Sequence, residues 1–96
     1  MPMSILPPPQ YDFPPPMPVY ERVLPWERVY DLCIDLGVTS WPAKSQLKNH
    51  PPLGCSIREK DGVCSVWIAD VAQQETVRRH EYAHCNGWPN NHPGMR

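Results

Sequence analysis

The sequence predicts a small α+β domain: a hairpin and a short strand forming a small antiparallel sheet, packed with two helices, behind a proline-rich arm that is extended or disordered. Three observations predict it. Nine of the 14 prolines fall in the first 25 of 96 residues. Two later stretches repeat apolar residues at helical spacing or run long without proline or glycine. Between them an Asp-Gly turn signal is flanked by two short runs rich in β-formers. The division expected is an arm over residues 1–18 and one domain over residues 19–96, a size at which a hydrophobic core alone is marginal and a covalent or metal staple is needed.

The arm, "ILPPPQYDFPPPMP", cannot form helix or central strand, because proline fixes φ and removes an amide donor. Within it Pro8, Pro9, Gln10 and Tyr11 match a short PPxY ligand form for aromatic grooves, so a protein partner for the arm is one reading. The plainer reading is a linker, or an arm lying over the domain with Tyr11 and Phe13 as anchors. "VYERVL", from Val19 to Leu24, has the β-branched and aromatic content of a strand. Pro25 then suits a helix start. Trp26, Val29, Leu32, Cys33 and Leu36 recur at three- and four-residue steps on one helical face, and Gly37 is a natural stop.

From Val38 the chain shows no sustained period and is bounded by prolines, so a long connection is expected. "GCSIREKDGVCSVWIAD" reads as a hairpin, with Cys55 to Arg58 and Val63 to Ile68 flanking "EKDG". If Arg58 faces Val63, then Cys55 faces Val66, and Cys55 and Cys64 share one side. Four cysteines allow three pairings. The arrangement favoured here joins each hairpin cysteine to a helix, one carrying Cys33 and the other Cys85, since such bridges tie both helices to the sheet.

Asp70, with Gln73 three residues on, resembles a capping box, and "VAQQETVRRHEYAHCN" follows as a helix ending at a left-handed Gly87. This places His80 and His84 on one side of the helix, about 6 Å apart along its axis. Two imidazoles so placed can grip one zinc, and a catalytic zinc takes three protein ligands and keeps one position open. His92, returned by the Gly87–Pro89 bend, is the leading third ligand; Asn91 and His50 are weaker candidates. Glu81, rotated about 100° from His80, lies outside the ligand set but near enough to act as general base. Zinc lowers the pKa of a water towards 7, and the carboxylate takes its proton and passes it to a leaving amine. Trp88 is expected to wall a substrate pocket, Tyr82 to point away from the histidines, and Arg78, Arg79 and Glu75 to form a solvated face. If Cys85 is instead a thiol, it can join the histidines or Cys64 in a closed structural zinc site.

"HEYAHCNGWPNNH" resembles the active-site segment of zincin metallopeptidases, and as far as Gly87 it is similar to the metzincin form. It departs there: a metzincin third histidine would fall at Asn90, and no length remains for a methionine turn. A nearer resemblance is to a group of small proteobacterial proteins carrying HExxHCNGWPxDH after a Gly-Cys hairpin and a proline-rich start. That group usually has aspartate at the position of Asn91, which leaves His92 the better ligand. The zincin resemblance implies a helix bearing His80, Glu81 and His84 under a sheet whose edge strand lies antiparallel to a peptide substrate, that edge being Val63 to Ile68 or Val19 to Leu24.

A net charge of −1 gives no basic field for nucleic acid or anionic membrane, and no apolar run approaches the ~20 residues of a membrane span. The start, "MPMSILPPPQ", lacks the form of a secretion signal, whereas an even cysteine count in a small chain points to an oxidising compartment, periplasmic or extracellular. The expected function is zinc-dependent hydrolysis of peptides or proteins. The alternative is a non-catalytic binding or regulatory module with structural zinc or disulfides and an arm that docks a partner.

Overall fold

A computed structural model of the chain describes residues 5–37 and 52–96. The expected connection, with Trp41 and His50, lies almost entirely outside the described residues. In order come a 3-10 turn at Pro9–Tyr11, strand β1 (Val19–Leu24), helix α1 (Trp26–Asp35), strands β2 (Gly54–Arg58) and β3 (Cys64–Ala69), and helix α2 (Gln74–Cys85). The α+β class with two helices holds. The sheet, however, is mixed and ordered β1-β3-β2. Strand β2 is antiparallel to β3, while β1 runs parallel to it, from Val19 opposite Cys64 to Leu24 opposite Ala69. A helix and a long connection separate β1 from the hairpin, and a crossover of that length allows a parallel partner where a tight turn would not.

The hairpin register is one residue off the expected one. Arg58 faces Cys64 and Cys55 faces Trp67. The cause is the turn. The Glu59 amide donates to Val63 O at 2.8 Å, Gly62 N donates to Glu59 O at 3.1 Å, and the Asp61 carboxylate accepts from Val63 N at 3.0 Å. Glu59 and Val63 thus close a three-residue loop in which Gly62 takes φ 90°, a conformation glycine adopts without steric cost. A one-residue slip sends side chains to the other face, so Cys55 and Cys64 point to opposite sides of the sheet.

That inversion makes the protein a three-layer sandwich. Cys33 of α1 bonds to Cys55, and Cys64 bonds to Cys85 of α2, so each hairpin cysteine holds a helix as expected, one on each face. Val29, Cys33, Cys55, Trp67 and Ala69 form one core cluster; Cys64, Val66, Ile68, Val77 and Cys85 form the other. All six residues of β3 are buried, which is why its apolar run does not alternate. Trp26 and Leu36, the ends of the expected helical face, are 36% and 43% exposed.

Helix α2 begins at Gln74, without a side-chain cap, rather than at an Asp70 cap. The Asp70 amide is taken by Leu24 O at 2.8 Å, extending the β1–β3 ladder, and Val71 N turns back to Ala69 O; the Asp70 carboxylate accepts from the Gln74 side chain instead. The other end is as expected. Gly87 N donates to His84 O and Trp88 N to Ala83 O, the paired bonds of a Schellman cap, with Gly87 at φ 100°.

The arm lies on the domain. Leu6 and Arg96 exchange backbone hydrogen bonds at 3.1 and 2.7 Å, and Pro7 and Pro8 are buried. Tyr11 and Phe13 anchor it through their carbonyls, both accepting from the Asn86 amide group. The Phe13 ring itself is 46% exposed. Asp12 pairs with Arg79 and Arg96. Because Pro9–Tyr11 forms a 3-10 turn, the Pro8–Tyr11 motif is not held in the extended form an aromatic groove reads.

Candidate metal centre

Helix α2 sets its face by where its neighbours stand. Arg78 and Tyr82 meet Glu21 of β1: Arg78 Nε donates to one carboxylate oxygen at 2.7 Å and Nη2 to the other at 3.0 Å, and the Tyr82 hydroxyl donates at 2.7 Å. Val77 and Glu81 lie over Gly54 of β2. At about 100° per residue, His80 and His84 fall beyond Glu81 on the side away from Tyr82 and therefore away from β1, towards the β2 side of the sheet. Arg78 is therefore not the solvated residue expected: its guanidinium bridges Glu21 and Glu75, and these charge-assisted bonds hold Glu21 below the usual carboxylate range.

His80, His84 and His92 converge. Their Nε2 atoms form a near-equilateral triangle with edges of 3.1 Å (80–92), 3.2 Å (84–92) and 3.3 Å (80–84). Two nitrogens at ~2.0–2.1 Å from a tetrahedral zinc lie roughly 3.3–3.4 Å apart, so the triangle matches one face of such a site within the ~0.2 Å expected of a metal centre. Among the described residues these are the side chains of metal-binding type gathered closely enough to hold one ion.

The tautomers agree. His80 Nδ1 donates to Ile5 O at 2.6 Å and His84 Nδ1 to Trp88 O at 2.8 Å. A carbonyl only accepts, so both Nδ1 atoms carry the proton, and in the neutral rings the Nε2 lone pairs face each other. Protonating one would relieve that repulsion, but burial pushes both imidazoles below their ordinary pKa. His92 is held down to about 4 by burial and by its two neighbours. A cation held by the three Nε2 atoms would satisfy all three lone pairs, and outer carbonyls that fix the ligand tautomer are the usual support of such sites.

His92 comes from outside the helix, as expected, but its route is specific. Its own φ is 60°, in the left-handed region that histidine enters more readily than most residues. A turn from Pro89 O to His92 N (3.0 Å) positions it, and the Trp88 indole fixes the far side by donating to Pro93 O at 2.8 Å. Trp88 is only 2% exposed. Its ring stacks on His84 at 4.8 Å and meets His80 and His92 edge-on at 5.0 and 5.1 Å. It thus packs against all three rings of the histidine cluster, because the Schellman turn directs it back onto the helix that precedes it.

Glu81 is outside the ligand cluster and buried, at 6% exposure. Burial raises its pKa to about 7; the nearby His84 and a hydrogen bond from Ser56 oppose that rise. Asn91 is exposed in the turn, and His50 lies outside the described residues. All four cysteines are in disulfides, so no thiol is present for a mixed Cys/His site. Three contributors escaped sequence reasoning: the Ile5 carbonyl, Ser56 and Gly54. Only Gly54 carried a signal, a glycine in a strand often marking the close approach of another element.

Comparison of the chain with protein-family models, with curated proteins and with solved structures finds no match.

Proposed function

We propose that this protein is a zinc-dependent hydrolase of peptide bonds, with His80, His84 and His92 as ligands and Glu81 as general base. The observation that carries the reading is the Nε2 triangle. Among the described residues it supplies three protein ligands of one type and no fourth, the ligand count of a catalytic rather than a structural zinc. With the cysteines engaged elsewhere, a closed thiolate site is unavailable to this chain.

When bound, zinc supplies Lewis-acid polarisation of a carbonyl and lowers the pKa of water. The residues of the chain do the rest. Ile5 O and Trp88 O keep two imidazoles in the liganding tautomer, and Trp88 excludes water from behind them. Glu81, placed by Gly54 and Ser56 between the histidines and β2, accepts a proton and returns it to the leaving amine. Its raised pKa brings the two protonation states close to balance near neutral pH; a cation nearby lowers that value again. Of the strands the zincin resemblance offered as a substrate edge, β3 is central and already paired on both sides. The outer strand of the described sheet on the histidine side is β2, whose outer edge has no strand partner among the described residues, so an extended peptide would pair there. The two disulfides favour an oxidising compartment, periplasmic or extracellular. No described helix is long and apolar enough to cross a membrane.

The test measures zinc content and peptide hydrolysis together for wild type and Glu81→Gln. Stoichiometric zinc in both, with turnover only in wild type, is the expected result. Equal, zero turnover over a broad peptide library would sink the enzymatic reading. One observation favours the non-catalytic module instead: at 6% exposure Glu81 is largely shielded from any substrate in this conformation. That reading expects zinc in both proteins and hydrolysis in neither.

A further inference from the structure

We infer that the proline-rich arm is a positioning element of the metal centre, acting through the Ile5 carbonyl and the Leu6–Arg96 backbone pair, so that zinc binding and arm docking form one coupled equilibrium. The inference rests on the reading of the three histidines as a metal site and adds a role for residues outside them.

The three ligands differ in what holds them. His84 is supported locally, by the carbonyl of Trp88 four residues on. His80 takes its Nδ1 partner, Ile5 O at 2.6 Å, from 75 residues away in the chain. His92 sits in a segment whose next anchor is again the arm: Met95 N donates to His92 O at 3.3 Å, and Arg96 then exchanges both backbone bonds with Leu6. Arg96 Nε also donates to Pro7 O at 2.8 Å. Further along, Asn86 holds the carbonyls of Tyr11 and Phe13 at 2.9 and 2.7 Å. Two of the three ligands therefore depend on a segment joined to the domain only by docking contacts and by the strand that follows it.

Chemistry gives the dependence a direction. With Ile5 O in place, His80 keeps its proton on Nδ1 and presents a lone pair at Nε2. Without it the ring is free to carry the proton on Nε2, and the triangle loses one donor. Outer-shell partners of this kind contribute about 10- to 100-fold to metal affinity. Because linkage is reciprocal, zinc must strengthen arm docking by the factor the docked arm adds to zinc affinity.

The test compares the full chain with variants lacking residues 1–4 and residues 1–5, the second of which removes Ile5. Zinc affinity by chelator competition is expected to be about 10- to 100-fold weaker without Ile5 than with it. The His80 ring nitrogens should lose the signature of a single Nδ1–H tautomer in nitrogen NMR. A merely structural arm would lower the melting temperature and leave both readouts of the folded protein unchanged. Should the shorter variant fail to fold, amide exchange in the full chain decides: zinc is expected to slow exchange at Leu6 and Arg96, and unchanged exchange overturns the coupling. If the full chain binds zinc and the variant lacking Ile5 binds it equally, the arm's role alone falls. If the full chain binds none, the metal reading falls and takes this inference with it.

Discussion

Gly54→Ala offers a test in which the structure opposes the default sign. Replacing a strand glycine by alanine ordinarily stabilises a protein by about 0.4–1 kcal/mol, through the unfolded chain, where the native backbone accepts a side chain. Here a Cβ at Gly54 would lie 2.9 Å from Trp67 O, 2.9 Å from Val77 Cγ1 and 3.1 Å from Glu81 Cγ. The first is backbone of the central strand, fixed by pairing on both sides, and the other two belong to α2, itself bolted to β3 by the Cys64–Cys85 disulfide. Neither neighbour can retreat without moving an element. Overpacking of this kind costs about 1–3 kcal/mol, and in a domain this size each kcal/mol lowers the melting temperature by roughly 4–8 °C. Thermal unfolding with disulfides intact and chelator present should therefore give a midpoint lower by roughly 5–20 °C. In a Val77→Ala background the added cost of Gly54→Ala should shrink measurably, since contacting sites couple by about 0.5 kcal/mol or more. A midpoint unchanged or raised by Gly54→Ala would refute the close approach of α2 to β2, and with it the placement of Glu81.

Other consequences can be checked in parallel. His92→Ala should weaken zinc binding by more than the 10- to 100-fold associated with an outer-shell partner, and titration with a competing chelator would show it; an affinity equal to wild type removes His92 from the centre. The loops closed by the disulfides span 22 and 21 residues, so removing either should cost about 3 kcal/mol in the chain-entropy picture. Loss of Cys64–Cys85 is expected to weaken zinc binding as well, because α2 carries two ligands, whereas loss of Cys33–Cys55 on the opposite face should leave the affinity of the folded protein unchanged. The metal-free protein should be most stable near neutrality, as denaturant titrations against pH would reveal. The three histidines, depressed in the fold and His92 to about 4, contribute stability present above the unfolded histidine value of 6.5 and lost as pH falls. Glu81, raised to about 7, contributes stability present below 4.5 and lost as pH rises through 7. Three groups outweigh one between those limits, so stability should rise with pH up to about 6.5 and then decline.

The sequence determined what depends on neighbours along the chain. Helical spacing fixed the shared face of His80 and His84, the Asn-Gly pair announced the Schellman cap, and Asp-Gly between β-rich runs announced the hairpin. Even the favoured disulfide arrangement, each hairpin cysteine to a helix, followed from the need of a thin core for staples. The tertiary structure decided what depends on how many residues a turn takes or on segments far apart. A loop of three residues rather than four put Cys55 and Cys64 on opposite faces and so set one helix on each side of the sheet. The parallel seat of β1 was hidden because a long crossover permits either direction. The support of His80 by Ile5 was hidden for a plainer reason: a backbone carbonyl carries no residue-specific signal, and only the folded chain shows which one arrives at the ring.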